Sequence, residues 1–315
     1  MPSIEDTRDG PSAHTGPPDR TAAQECDIRD ADCPASRDEL VSRGLLGRAV
    51  GVLKFIASRG SVSLPEMAVA TGLPKSSVHR LVQELVREGV LIQRHNRYAV
   101  APLVFEFGLS SPELRLLREA ALPVMEDIYE FTHHIVHLAI LVEDADAPQA
   151  LVLEKIMGRR SSIISSRAGL RIPLHSSAAG KILLAFSGPA ILEQTCAGPL
   201  PRFGPNTIVT GAALRQEVER IRRTRFSIAN EEGSEGTKCV AAPIFGRANA
   251  LRGALSITVT DAVPVDFENL GAVVRVAAQA VTRELEMRGT ENGGAATSPN
   301  GPAQSAIRGG LLGPG

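Results

Sequence analysis

Ser256 and Thr258 alternate with Leu255, Ile257 and Val259, so a strand there carries two hydroxyls on one face and core residues on the other. Cys239, followed by Ala241, holds a comparable place on a second apolar run. The small-residue run His175-Ser176-Ser177-Ala178-Ala179-Gly180 opens a helix, and the N–H groups at its start suit a carboxylate. Together these residues leave room for a compact organic ligand, although a packed sheet whose hydroxyls bond locally would carry the same residue types. A second chemistry is written in Lys75-Ser76-Ser77-Val78-His79-Arg80, where basic and hydroxyl groups crowd a helix N-terminus and no acid follows until Glu84. Contacts to phosphates and to base edges in a major groove require that combination.

The elements that must hold the basic run read as a helix-turn-helix. Ser63 and Glu66 form a capping box for a short helix, Thr71-Gly72-Leu73 supply a turn, and Pro74 starts the second helix. Val78, Leu81, Val82, Leu85 and Val86 bury one face of that helix, leaving Lys75, Ser76, Ser77, His79, Arg80, Gln83 and Arg87 on the other. Leu45, Ala49, Val52, Leu53 and Ile56 mark a supporting helix before it. After Gly89, residues 90–94 and 97–100 read as two strands joined by His95-Asn96, a wing with Arg94, His95 and Arg97 at its tip. An ordinary amphipathic hairpin would share parts of this pattern; three helices and a wing in order make a winged helix-turn-helix.

The second domain alternates strands and helices. Residues 135–142 and 149–156 read as a hairpin, 177–186, 189–196 and 212–223 as helices, 239–245 and 251–259 as strands. A final helix opens at Asp266. Between the two domains, residues 113–131 form a helix that Pro123 should kink or divide. The expected organisation is an acidic disordered tail at 1–42, a winged helix-turn-helix at 43–108, a linker helix at 109–131, an effector domain at 132–288 and a disordered tail at 289–315.

The net charge of −1 hides an asymmetry: residues 43–105 hold nine Lys/Arg against three acids, and residues 1–42 hold four Arg against ten acids. A basic module behind an acidic tail fits a DNA-binding unit. Four scattered cysteines, 26, 33, 196 and 239, make no disulfide framework, and a reducing cytoplasm is expected. Cys26 and Cys33 read as incidental thiols in a tail. No apolar run approaches the roughly 18 residues needed to span a bilayer, so no membrane association is expected. Gly180-Lys181 is no P-loop, because the earlier glycine falls at His175 and Ile182 follows the lysine. Neither a nucleophile elbow, a zinc-protease helix nor a dinucleotide fingerprint is present, so neither enzyme activity nor a cofactor is implied. One alternative remains: His133 and His137, placed on one strand face, could begin a metal site and turn the second domain to sensing a metal or to catalysis.

Taken together, these residues resemble the IclR family of bacterial transcriptional regulators over about residues 43–287. The resemblance rests in the first domain on Arg43-Gly44-Leu45, Ser63-Leu64-Pro65-Glu66, Thr71-Gly72-Leu73-Pro74-Lys75-Ser76-Ser77-Val78-His79-Arg80-Leu81 and Arg97-Tyr98. In the second it rests on Ala121-Leu122-Pro123, Pro173-Leu174-His175 through Ala185-Phe186, Glu231-Glu232, Gly236-Thr237-Lys238-Cys239 and Leu255-Ser256-Ile257-Thr258. It implies an α+β chain with a GAF-like effector domain built on a mainly antiparallel sheet, a homodimer or homotetramer, a palindromic promoter site and a small organic acid or aromatic effector. DNA contacts are expected from Arg43, Lys75, Ser76, Ser77, His79, Arg80, Arg94 and Arg97. Effector contacts carry over to Ile164, Ile172, Ala178, Ala179, Ala229, Cys239, Ser256 and Thr258. Ala229-Asn230 stands where acid-binding members often carry Asp-Asp or a similar pair, which changes the polar wall. His133 and His134 likewise replace a usual Gly-Glu.

Overall fold

The computed structural model of the chain describes residues 44–143, 147–158, 166–260 and 264–291. The expected tail at 1–42, with Cys26 and Cys33, lies outside the described residues, as do Arg43 and Ile164. Helix α1 (Leu45–Arg59) buries Ala49, Val52 and Ile56. A short strand β1 (Val62–Ser63) leads into α2 (Leu64–Thr71), where the Glu66 carboxylate accepts the Ser63 N–H at 2.5 Å and closes the capping box. Gly72 ends α2 in the left-handed region, φ 68°, which a side chain would strain.

Helix α3 (Lys75–Arg87) begins one residue later than expected. Pro74 is its N-cap rather than its first residue, and the Pro74 carbonyl accepts the N–H groups of Ser77 and Val78 at 2.9 and 3.0 Å. Val78, Leu81 and Val82 join Met67, Ile56 and Tyr98 in the core of the head. Strands β2 (Leu91–Arg94) and β3 (Arg97–Val100) form the wing, and His95 and Asn96 both adopt positive φ, as a two-residue hairpin turn demands. The wing has a third strand, because β1 pairs with β3, Val62 opposite Tyr98.

An unexpected helix, α4 (Pro102–Leu109), follows; its sequence lacks an amphipathic period, and Phe105 and Phe107 stay exposed. Helix α5 (Pro112–Thr132) then runs as one element through Pro123 instead of dividing there. The lost N–H is offset by packing, since Leu117, Ala120, Ala121, Met125 and Ile128 are all buried. The stretch expected to be a linker is therefore a layer of the second domain, lying against the sheet beside α9 (Phe267–Glu291). That last helix extends past residue 288, where a tail was expected to begin.

The sheet has six strands: β4 (Ile135–Glu143), β5 (Pro148–Ile156), β6 (Arg171–Pro173), β7 (Ser227–Asn230), β8 (Lys238–Phe245) and β9 (Leu251–Val259). Their order is β6-β5-β4-β9-β8-β7 and every pairing is antiparallel. Strand alternation splits the core in two. Val136, Leu138, Val240, Ala242, Leu255 and Ile257 face α5 and α9. Ala139, Ala150, Ala229, Ala241 and Ala254 face α6 (Ala178–Phe186), which packs with α7 (Pro189–Ala197) and α8 (Gly211–Thr224). The small residues on this second face leave space between sheet and helix.

Candidate functional site

On the head, the side chains of Lys75, Ser76, His79 and Arg80 are exposed along one face of α3, and Ser77 is half-buried beside them. Among the described residues none of Lys75, His79, Arg80 and Arg94 has an ion-pair partner. Unpaired cations on a helix whose back is locked into a core are free to neutralise phosphates. Arg97 differs. Its guanidinium donates to the Ser61 carbonyl at 2.6 Å and lies 3.4 Å from Glu66, so it braces the wing against α2. Arg87 is also engaged, by Glu84 and Glu88. The Glu66 carboxyl is held below its ordinary range first by the Ser63 N–H, then by the Ser63 hydroxyl and Arg97, against a smaller upward push from burial.

In the second domain a cavity of about 120 Å³ opens between the sheet and the N-terminus of α6. Ile172, Ala178, Ala179, Ala229, Cys239, Ser256 and Thr258, expected from the sequence, all line it. Strand register explains the convergence: Cys239 lies opposite Thr258 and Ala229, and Ser256 opposite His137. Ser177 caps α6 by accepting the Gly180 N–H at 3.0 Å, and the first-turn amides of Ala178 and Ala179, two of the lining residues, have no intrahelical acceptor. Gly180 allows the close approach, since a Cβ there would sit 2.7 Å from the Leu174 backbone. Burial pushes the Cys239 thiol up to about 11, with Thr258 Oγ1 3.2 Å from its sulfur, so it stays protonated at neutral pH.

Ser176, in the small-residue run, also lines the cavity, whereas residues not anticipated as its wall include His137, Ser166, Ser234 and Thr237. His137 is the residue that, with His133 on one strand face, could begin a metal site in the alternative reading of the sequence. The structure corrects that pairing: His133 is the C-cap of α5, φ 56°, off the strand, while His137 lies on β4. No group of three or more His, Cys, Asp or Glu among the described residues is arranged to hold a metal. Burial, with the Lys155 ammonium near, lowers His137 to about 3, and its ring is neutral. The unfolded chain takes up that proton near the ordinary value of about 6.5. Stability should therefore fall as pH drops from about 6.5 toward 3, by up to ~1.4 kcal/mol per pH unit from this group. Calorimetric melting across that range should show His137→Gln with a shallower acid slope than the parent.

Beneath the cavity lies a buried ion cluster. Lys181, wholly buried on α6, donates to both Glu232 oxygens at 2.6 and 2.8 Å and to the Ile228 carbonyl at 2.6 Å. Its ammonium is 3.4 Å from Glu217, which Arg220 clasps through two bonds of 2.8 Å. Burial pushes the Glu232 carboxyl up against the pull of Lys181. At Glu217 burial also works upward, yet Arg220 and Lys181 outweigh it and hold the carboxyl low. The loop after Glu232 supplies Gly233, Ser234 and Thr237 to the cavity, so the cluster fixes one wall.

A winged-helix head with unpaired cations, joined to a sheet domain with a cavity, defines a transcriptional regulator that carries DNA contact and ligand recognition in one chain. The comparisons agree. Residues 113–283 match the bacterial transcriptional regulator IclR C-terminal family and residues 45–95 match the IclR helix-turn-helix domain. The chain belongs to the IclR family of bacterial transcriptional regulators. It is 29% identical over 246 residues to the transcriptional repressor IclR of Escherichia coli, covering 75% of this chain and 88% of that one. The acetate operon repressor of Salmonella typhimurium is 30% identical over 247 residues, with coverage of 75% and 88%. Among solved structures, an IclR homolog from Microbacterium hydrocarbonoxydans complexed with 4-hydroxybenzoate superposes with a TM-score of 0.68 at 28% identity, covering 77% of this chain and 99% of that one. No helix among the described residues is long and apolar enough to cross a membrane.

Proposed function

We infer that this chain is a cytoplasmic repressor whose hold on a palindromic promoter operator is set by a small organic or aromatic acid in the cavity of the second domain. The observation that carries the reading is the cavity itself: an α6 N-terminus facing strand hydroxyls, with no charged side chain among the described lining residues. Backbone amides there offer a carboxylate two donors, and Ser256 and Thr258 supply neutral bonds from the sheet. The 4-hydroxybenzoate held by the Microbacterium homolog supports the same ligand class here. The chain acts by binding, without an enzymatic step.

The remaining DNA contacts are Lys75, Ser76, Ser77, His79, Arg80 and Arg94, with Arg97 setting the wing. Two heads on a dimer would match the two halves of a palindrome. Leu45, Leu46 and Val50 on α1, together with Phe105 and Phe107 on α4, are exposed apolar side chains suited to that pairing. Ligand binding then alters DNA affinity by changing how the paired heads are held, a coupling of about 1–3 kcal/mol in typical cases.

Ser256→Val tests the reading, since it removes a buried hydroxyl and puts two methyl groups in its place. The expected result is an operator complex of unchanged affinity that no longer dissociates when the effector acid is added, read by gel shift with and without ligand. Equal loss of DNA binding and response would make Ser256 a structural residue and remove the cavity from the mechanism.

A further inference from the structure

Two stretches of the chain are far out of charge balance, and they are neighbours. Residues 1–42 hold ten acids against four Arg, residues 43–105 hold nine Lys/Arg against three acids, and residues 109–288 hold twenty of each sign. The two excesses are equal and opposite, and the second domain has no surplus to offer either of them. The head does not neutralise itself. Its three acids are all engaged: the Glu66 carboxylate accepts the Ser63 N–H and lies 3.4 Å from Arg97, and Glu84 and Glu88 both hold Arg87.

What remains is Lys75 and Arg80 on the outer side of α3 and Arg94 where the wing turns. All three are exposed and none has an ion-pair partner among the described residues. The acids that match them lie outside the described residues, but their distance along the chain is known. Glu25, Asp27, Asp30, Asp32, Asp38 and Glu39 fall within the eighteen residues that precede Arg43. A chain spans up to about 40 Å from residue 32 to α1 and about 60 Å from residue 27, whereas a domain the size of the head is about 30 Å across. Both partners belong to one chain, so their encounter is intramolecular, and pairs too weak to hold two molecules together suffice.

We propose that the acidic segment at residues 25–39 docks on the cationic face of α3 and the wing, where it competes with DNA phosphates for Lys75, Arg80 and Arg94. The proposal rests on the assignment of this face to DNA. Each carboxylate pair is solvent-exposed and screened by salt, while a duplex presents a charge about every 1.7 Å and base edges besides, so a duplex displaces the segment. The segment has to leave for any sequence. It therefore lowers affinity for every duplex by one factor, and its effect is to clear the head from DNA that offers phosphates alone.

The test needs only a random-sequence duplex and two forms of the full chain: the parent and a variant with Glu25→Gln, Asp27→Asn, Asp30→Asn, Asp32→Asn, Asp38→Asn and Glu39→Gln. None of the six lies in a described element, so the folded domains are untouched. At about 50 mM salt the variant should bind the duplex about threefold tighter or more, and the difference should fall below about twofold at about 300 mM. Carbodiimide coupling read by mass spectrometry separates docking from charge acting at a distance. In the parent, acids of residues 25–39 should be joined to Lys75 in preference to Lys238 on β8, and added duplex should suppress that link. Equal affinity of parent and variant overturns the proposal. So does a gain in affinity without the Lys75 link, or a link that duplex leaves intact. In each of these cases the head still binds DNA; if neither form binds the duplex at low salt, the assignment of this face to DNA falls and the proposal with it.

Discussion

Lys181→Met should destabilise the second domain by about 3–5 kcal/mol, the cost of leaving buried carboxylates without their cation. Every proton of the Lys181 ammonium has a partner within the domain, at Glu232, at the Ile228 carbonyl and toward Glu217. Methionine fills the volume but answers none of them. The loss is a large share of the roughly 5–15 kcal/mol that holds a domain folded, so the urea midpoint of this domain should shift well clear of error. Arg215→Met is the matched control, because its ion pair with Glu193 is solvent-exposed and should leave the midpoint unmoved. The double variant Lys181→Met with Glu232→Leu should recover much of the loss, since an apolar pair satisfies a buried site that a single charge cannot. A single variant that melts with the parent would mean the cluster is hydrated in solution, and the wall at residues 233–237 would then owe its position to Thr207, whose hydroxyl donates to the Glu232 carbonyl at 2.5 Å.

Elements with a strong period were legible and short ones were not. Helices α1, α3 and α9 announce themselves through buried faces at helical spacing, and the β4–β5 hairpin through two apolar runs around a turn. Strands β1, β6 and β7 are two to four residues long, and their pairing with β3, β5 and β8 is a tertiary fact that no local pattern encodes. Pro123 shows propensity overruled: α5 continues because its stripe from Leu117 to Ile128 has a sheet to bury against. In the cavity, Ser256, Thr258 and Cys239 followed from alternation along single strands. Ser166 and Thr237 did not, because loops reach the cavity only once the sheet has formed. His137 was visible as a histidine on a strand, but its partner was sought at His133 on the same stretch rather than at Ser166, 29 residues on. Lys181 was weighed only as a phosphate ligand. The clue was its place within an eight-residue apolar helix run, where a lysine needs a buried acid, and Glu231-Glu232 was the candidate.

Arg80→Ala should weaken operator binding by about 1–3 kcal/mol, roughly 5- to 150-fold, and relax preference at one base position. The side chain is exposed on α3, has no ion-pair partner among the described residues, and lies on the same face as Ser76 and Gln83, four residues before it and three after. The opposite face of α3 is fixed by Val78, Leu81 and Val82, so the guanidinium is presented from a rigid support and a bidentate contact to a base edge loses little entropy in forming. Lys75→Ala supplies the contrast, because a phosphate contact should lower affinity evenly across sequences and reduce the salt slope by about one. Arg87→Ala should change little, since Glu84 and Glu88 already occupy that guanidinium. Gel shifts at fixed ionic strength on operator and scrambled duplexes separate the three. If Arg80→Ala retained full affinity and selectivity while Arg87→Ala lost both, the DNA-facing surface would be the C-terminal end of α3 and the wing, and the docking of its N-terminal turn in the major groove would be wrong.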